Sequence, residues 1–223
     1  MKVKMHSEIE KKLKELYQRY HLIQSFIDMN KLKLDDDYKK INFAYYCIVG
    51  QTVESLGILL EQGYFTSVAA LTRTILELHI KSFYLEFIEK PKQSDISDFL
   101  SEKINFPIFF EMAKSLDAFK TEDGKNFGGT FGQFTKKQLG SYNKLSLFTH
   151  GKGELLQAYF DNPRFGFSVQ TKVELLQNIN FYYSTLSLLL FYVQDMDDAV
   201  NILLADIMAS EDYKNEMQNQ SPI

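Results

Sequence analysis

The sequence predicts an all-α protein, an up-and-down bundle of about six or seven helices in a single domain over residues 1–223. Prolines and glycines, which interrupt helices, number only four and eleven, and most fall between residues 91 and 166. Both ends of the chain therefore contain long stretches without a helix breaker. Apolar residues recur there at helical spacing, and no alternating pattern is long enough to predict a sheet.

The first two helices follow from apolar periodicity and from end signals. Helix one is predicted over about residues 6–32, and its apolar stripe consists of Ile9, Leu13, Leu16, Tyr20, Ile23 and Ile27. The run Asp35–Asp37 interrupts it and can cap helix two, which is predicted over about 38–62 and ends at Gly63. Four small residues of helix two permit close helix contacts: Ala44, Cys47, Gly50 and Gly57.

The remaining elements are predicted in the same way. Helix three covers about 65–89 and is closed by Pro91, and residues 94–118 form one or two helices divided near 105–107. A flexible glycine-rich loop is expected at about 121–132. Three helices follow, over about 135–150, 170–193 and 196–215, and a turn is expected at 161–166.

The composition of the chain bears on its cellular location and on the partners expected for it. The net charge of −4 does not indicate a general polyanion-binding surface. The single cysteine, Cys47, excludes an intramolecular disulfide and fits a reducing cytoplasm. The N-terminus has no signal-peptide apolar core, and the longest apolar stretches, 41–60 and 181–193, are interpreted as core helices rather than membrane spans. We therefore expect a cytoplasmic protein with no membrane partner.

Charge is distributed unevenly along the chain. Residues 1–40 are rich in lysine, whereas from Asp195 onward Lys214 is the only cation among many acidic residues. This asymmetry and the wide apolar surface of helix two predict a homodimer or larger oligomer. The alternative is that both charge groups lie on ordinary solvated helix faces.

Arg73 and Glu77 are the charged centre of an otherwise apolar helix. At roughly 100° per residue they share one stripe with Tyr84. A buried arginine is costly unless it is paired, so the i,i+4 spacing has two interpretations. The pair satisfies its own charges in a helix seam, or Glu77 holds a guanidinium that is aimed at a phosphate or carboxylate.

A second polar stripe lies in the stretch from Tyr142 to Gly151. Asn143, Ser146 and His150 fall on one helical face there. We predict that Arg73, Glu77 and His150 converge in one pocket between helices. His150 then either bonds to a neighbouring helix or, titrating near pH 6.5 beside a cation, performs acid–base chemistry.

Other familiar chemistries lack their sequence patterns. No Glu-x-x-His pair, His-Glu-x-x-His motif or Cys/His cluster is present, so we expect neither a metal site nor a cofactor. A Gly-x-Ser-x-Gly elbow is absent, and the glycine-rich segment lacks the phosphate-loop spacing.

Two short motifs resemble those of uncharacterised bacterial helical proteins. One is the Arg73-x3-Glu77 helix, and the other is Tyr142-Asn143-Lys144-Leu145-Ser146 followed by His150-Gly151. Such proteins are distantly similar to the HEPN superfamily, whose members include metal-independent ribonucleases of toxin–antitoxin, CRISPR-associated and anti-phage systems. The HEPN motif is Arg-x(4–6)-His on one helix, whereas this chain has Lys144-x5-His150.

The resemblance implies a set of roles and one open alternative. His150 would act as the acid–base group, Arg73 as the phosphate-stabilising cation and Glu77 as its orienting partner. Substrate contacts would come from Asn143, Lys144, Ser146 and Tyr84. Either Arg73 supplies the missing arginine from another helix, or nuclease activity is absent and the bundle is a non-catalytic binding or interaction module. The expected partners are a second copy of the chain, an RNA or nucleotide ligand, and an antitoxin or other defence-system protein.

Overall fold

The computed structural model describes residues 5–136, 141–149, 154–161 and 167–214. Within these ranges the secondary structure is helical throughout, with no β-strand, which confirms the all-α prediction. The described α-helices are α1 (Ser7–Ser25), α2 (Asp37–Glu61), α3 (Phe65–Tyr84), α4 (Ile96–Leu100), α5 (Phe109–Ala118), α6 (Thr130–Gln133), α7 (Tyr142–Thr149), α8 (Glu154–Asp161), α9 (Val169–Val193) and α10 (Asp197–Ala209).

The long helix α9 is the centre of the bundle. It packs against α1, α2, α3 and α10, and its buried side chains face almost every direction. Ser168 begins it by accepting a hydrogen bond from the Thr171 amide at 3.1 Å. Because α9 is surrounded, it lacks the strong apolar-to-polar division of a surface helix.

Helix α2 is nearly as apolar and has the predicted bounds to within a residue. The Asp36 side chain caps it by accepting from the Lys39 amide at 2.8 Å. Gly57 allows α1 to approach closely, since a Cβ atom there would lie 1.9 Å from the Tyr17 hydroxyl oxygen. Among the described residues, α2 is the one helix long and apolar enough to cross a membrane. In this fold it packs against α3 and α9 instead.

Two helix ends differ from the prediction. Helix α1 ends at Ser25 rather than near residue 32, and the chain then turns at Asp28, whose side chain accepts from the Asn30 amide at 3.0 Å. The Gln194 side chain accepts from the Lys33 amide at 2.7 Å and donates to the Lys33 carbonyl at 3.1 Å. Helix α3 continues to the predicted end at Glu89, but residues 85–89 form a π-helical turn and 90–92 a 3₁₀ turn.

The region after α5 is more finely divided than predicted. The helix expected at 135–150 is α7, which begins at Tyr142, and the described residues just before it include the short helix α6. Helix α6 ends the glycine-rich segment, whose Phe131 is buried among aromatic rings. Helix α8 was not predicted at all. The turn expected at 161–166 lies outside the described residues except for Asp161.

Basic residues near the start of the chain form ion pairs with acidic residues near its end. Lys11 contacts Glu211 at 2.6 Å and Lys12 contacts Asp212 at 2.7 Å. Between α1 and α10, the Arg19 Nε atom lies 2.7 Å from an oxygen of Asp206. The basic start and the acidic end of the chain thus attract each other intramolecularly, so the asymmetry does not itself require a second copy.

Candidate functional site

Helix α3 separates an apolar inner face from a charged outer one. Ile75, Leu76 and Ile80 are fully buried against the bundle. Arg73, Glu77 and Lys81 follow one another at four-residue spacing, so they lie along one stripe of the helix. The stripe borders α5 and α7, both of which pack against α3.

Arg73 is the centre of a polar cluster that joins α3 to α7. Its Nε donates to Glu77 Oε1 at 2.9 Å, which confirms the i,i+4 pair predicted from the spacing. Nη1 donates to Thr149 Oγ1 at 2.7 Å, and Nη2 donates to the Tyr142 hydroxyl at 2.7 Å. The guanidinium therefore holds both the first and the last residue of α7.

Tyr142 connects this cluster to an aromatic wall. The guanidinium carbon of Arg73 lies 4.7 Å from the centre of the Tyr142 ring, which is a cation–π distance. The other neighbours of the ring come from α5. The Phe109 ring is stacked on it with 4.3 Å between centroids and an 18° interplanar angle, and Phe110 meets it edge-on at 5.8 Å.

Two residues predicted on the second polar stripe, Asn143 and Ser146, lie in different environments. The Ser146 hydroxyl donates to the Tyr142 carbonyl of its own helix at 2.6 Å, and Asn143 is exposed. Lys144 is partly buried, and its amide donates to the Ser141 hydroxyl. Tyr142 and Thr149 of α7 both bond to Arg73. His150 lies outside the described residues, so its predicted convergence with Arg73 and Glu77 stays a prediction.

A cavity of about 500 Å³ adjoins the cluster and shares Glu77 and Tyr142 with it. Its other walls are Lys81 of α3, Phe109 and Met112 of α5, Phe99 of α4, and the connecting residues Glu102, Ile104, Asn105, Phe106 and Pro107. The Lys81 ammonium lies 5.1 Å from the centre of the Phe106 ring. Aromatic surface, one cation and two carboxylates therefore meet in one concave space.

Tyr84 belongs to a different environment. Its ring is buried, and burial together with a hydrogen bond to the Glu89 carboxylate raises the pKa of its hydroxyl to about 12. Glu89 also accepts from Lys92 at 2.7 Å and from Ser94 at 2.6 Å. Tyr84 thus anchors the π-helical end of α3 and does not line the cavity.

A second buried polar group lies beside that π-helical turn. Asn42 of α2 donates to Glu86 Oε2 at 3.0 Å and accepts from the Ser82 hydroxyl at 2.5 Å. Lys90 contacts the other Glu86 oxygen at 2.5 Å. Each of these polar groups has a partner from α2 or from the end of α3, so the network ties the two helices together.

Within the described residues, no three His, Cys, Asp or Glu side chains are grouped as a metal site would need. Comparisons with protein-family models, with curated proteins and with solved structures found no match for this chain. The all-helical architecture is the part of the HEPN resemblance that the structure supports.

The site consists of the Arg73 guanidinium, held by three hydrogen bonds, and the cavity beside it. The sequence predicts the Arg73–Glu77 pair but not the other residues of the cavity. Lys81 was overlooked although it lies four residues after Glu77, and Tyr142 and Thr149 share one helical face at a spacing of seven. Both spacings can be recognised in the sequence. The cavity's aromatic residues come from three elements without a common motif, so no spacing would reveal them.

Proposed function

We propose that the protein is a HEPN-like ribonuclease that cleaves RNA without a metal ion, as an anti-phage or toxin-type effector. The observation that carries the proposal is the 2.7 Å hydrogen bond from Arg73 to Thr149. Thr149 immediately precedes His150 in the sequence, so an arginine of α3 is bonded to the neighbour of the candidate acid–base residue. This is the arrangement expected if Arg73 replaces the arginine missing from the histidine's own helix.

The chemistry would follow from these side chains. The RNA 2′-hydroxyl attacks the adjacent phosphorus in line while His150 assists proton transfer, and the bond to the 5′-oxygen breaks. The products are a 2′,3′-cyclic phosphate and a 5′-hydroxyl. Arg73, held by Glu77, would stabilise the charge that develops on the phosphorane.

The first test is cleavage of mixed RNA by purified protein in excess EDTA. His150→Ala should lower the rate by roughly 10²–10⁴-fold, the range for losing a general acid–base group. His21→Ala, a histidine exposed on α1, is the matched control and should cleave like the parent. Equal cleavage by the parent and a folded His150→Ala protein would remove the proposed role.

The second test uses the two similarly buried arginine pairs of the fold. Arg73→Lys should impair cleavage, because an ammonium cannot reproduce the planar fork that contacts Glu77, Tyr142 and Thr149. Arg19→Lys, at the Asp206 pair between α1 and α10, makes the same substitution far from α7. If both variants cleave equally well, Arg73 does not act on the phosphate.

One observation favours a second candidate, a non-catalytic binding module with a structural polar seam. All three guanidinium nitrogens of Arg73 bond to protein atoms, as in a fixed joint between helices. In that case the parent shows no RNA cleavage, whereas Arg73→Lys still lowers the melting temperature. Cleavage and melting curves on the same preparations separate the two candidates.

A further inference from the structure

The cavity beside Arg73 is bordered by aromatic rings and by hydrogen-bonding groups. Two aromatic pairs line it: Phe99 with Phe106, whose centroids are 4.9 Å apart, and Phe109 with Tyr142 at 4.3 Å. A volume of about 500 Å³ lies within the usual range of small-molecule pockets, about 300–1,000 Å³. The Tyr142 ring already contacts Phe109 and Arg73, whereas Phe106 is partly exposed, so Phe106 is the ring against which a planar ligand would pack.

The polar residues of the lining indicate which planar ligand the cavity would bind. Glu102 and Asn105 contribute a carboxylate and an amide from the connection between α4 and α5. A carboxylate accepts two parallel hydrogen bonds when the ligand presents adjacent N–H donors. Among the RNA bases, guanine alone presents two such donors side by side, at its N1 and N2 positions.

As at Gln93 and Asp195, the backbone at Glu102 is left-handed. Its φ angle is +57°, in the left-handed region where glycine is the most favourable residue. Its amide donates to the Phe99 carbonyl at 3.3 Å, so the position closes the end of α4. A carboxylate therefore occupies a position where glycine would be less strained, and that carboxylate lines the cavity.

We propose that this cavity is a base-binding pocket with specificity for guanine. The base packs against the partly exposed Phe106 ring, its N1–H and N2–H donors meet the Glu102 carboxylate, and Lys81 attracts the nucleotide's phosphate. The assignment of the ligand to an RNA strand rests on the proposed ribonuclease function. Because Glu77 and Tyr142 line the cavity and also contact Arg73, a guanine bound here would place its neighbouring phosphate near the guanidinium.

The test is calorimetric titration of the full-length protein with guanosine, adenosine, cytidine and uridine 5′-monophosphates. We expect guanosine monophosphate to bind at least roughly tenfold more tightly than the others, as a carboxylate paired with two donors discriminates between bases. Phe106→Ala should weaken binding by roughly tenfold, the scale of one lost stacking contact. Equal affinity for all four nucleotides, or no binding, would overturn the proposal.

A matched pair of glycine substitutions separates binding from folding. Glu102→Gly removes the carboxylate while relieving the backbone, so it should keep or raise the melting temperature and lose the preference for guanine. Gln93→Gly is the control, because Gln93 also has a left-handed φ of +59° at a helix end but lies outside the cavity. It should keep the parent's affinity. Unchanged guanine preference in a folded Glu102→Gly protein would contradict the assigned contact.

The two proposals fail in different ways. Selective guanosine monophosphate binding without RNA cleavage supports the pocket and removes the ribonuclease function. Cleavage by the parent without selective nucleotide binding supports the ribonuclease and removes the pocket.

Discussion

Acid should destabilise this protein through one buried histidine, His79. The side chain lies on the inner face of α3 and is 1% exposed. Its Nε2 is 2.8 Å from the Thr185 hydroxyl of α9, and its Nδ1 has no hydrogen-bond partner in the described part of the chain. Phe83 lies 4.8 Å away and Tyr182 5.7 Å away, ring centre to ring centre. Burial among these rings lowers the pKa of His79 from 6.5 to about 3.

The sign of the effect follows from where the proton binds. Above pH 6.5 the imidazole is neutral in both the folded and the unfolded chain, so it contributes no pH dependence. Below that value the unfolded chain binds the proton and the folded protein does not. The free energy of unfolding therefore falls as the pH drops from 6.5 towards about 3, by up to about 1.4 kcal/mol per pH unit.

The measurement is urea unfolding at several pH values from about 7.5 to 5, above the range in which most carboxylates titrate. Linkage with the two pKa values gives a loss of about 2 kcal/mol over that interval. His79→Gln keeps a neutral polar group near Thr185 and should remove this loss. The control is His21→Gln on the exposed face of α1, which should retain it. If the parent and His79→Gln lose stability equally on acidification, the buried imidazole is not the cause.

Two further predictions concern the packing of α2. Gly57→Ala should lower the free energy of unfolding by about 1–3 kcal/mol, because its Cβ would meet the Tyr17 ring, whereas Gly50→Ala has neighbours no closer than 3.9 Å and should be neutral or stabilising. Urea unfolding measures both, and adding Tyr17→Ala should remove most of the difference; equal effects of the two glycine substitutions would refute the close contact. Asn42→Ala should cost about 1–3 kcal/mol in the same assay, since buried Glu86 loses an amide donor, and a change below about 0.5 kcal/mol would show that the network does not stabilise the fold.

The long helices were predictable because local signals and tertiary packing agree in them. In α2 the aspartate cap, the apolar residues and Gly63 all indicate the same bounds, and the helix has them. In α1 the apolar spacing continues to Ile27, yet the helix ends at Ser25. After the helix the chain turns at Asp28, whose side chain accepts from the Asn30 amide at 3.0 Å. Gln194 then holds Lys33 through two hydrogen bonds from 161 residues away, and a local pattern carries no information about such a contact.

In the candidate site too, the contact within one helix was predictable from the sequence, whereas the contacts between helices were not. The Arg73–Glu77 pair lies within one helix, so its 2.9 Å contact followed from the spacing alone. The partners on α7 depend on how two helices meet, and the sequence analysis does not predict the bonds from Arg73 to Tyr142 and Thr149. Tyr142 was noted only as part of a motif, although its ring and hydroxyl both contact Arg73.

The helices that the sequence predicts and the contacts between elements that it does not predict differ in how they are packed, and this difference bears on function. Helices α1, α2, α3 and α9 form a frame, and buried side chains of α5 and α7 join the same apolar core. The polar stripe of α3 borders α5, α7 and the connection that precedes α5. A helix that presents Arg73, Glu77 and Lys81 beside a loop is a common way to build a binding site, because the helix fixes the charges and the loop supplies selectivity. Selectivity in this chain should therefore change most readily through substitutions at residues 100–105, which are exposed and lie outside the apolar core.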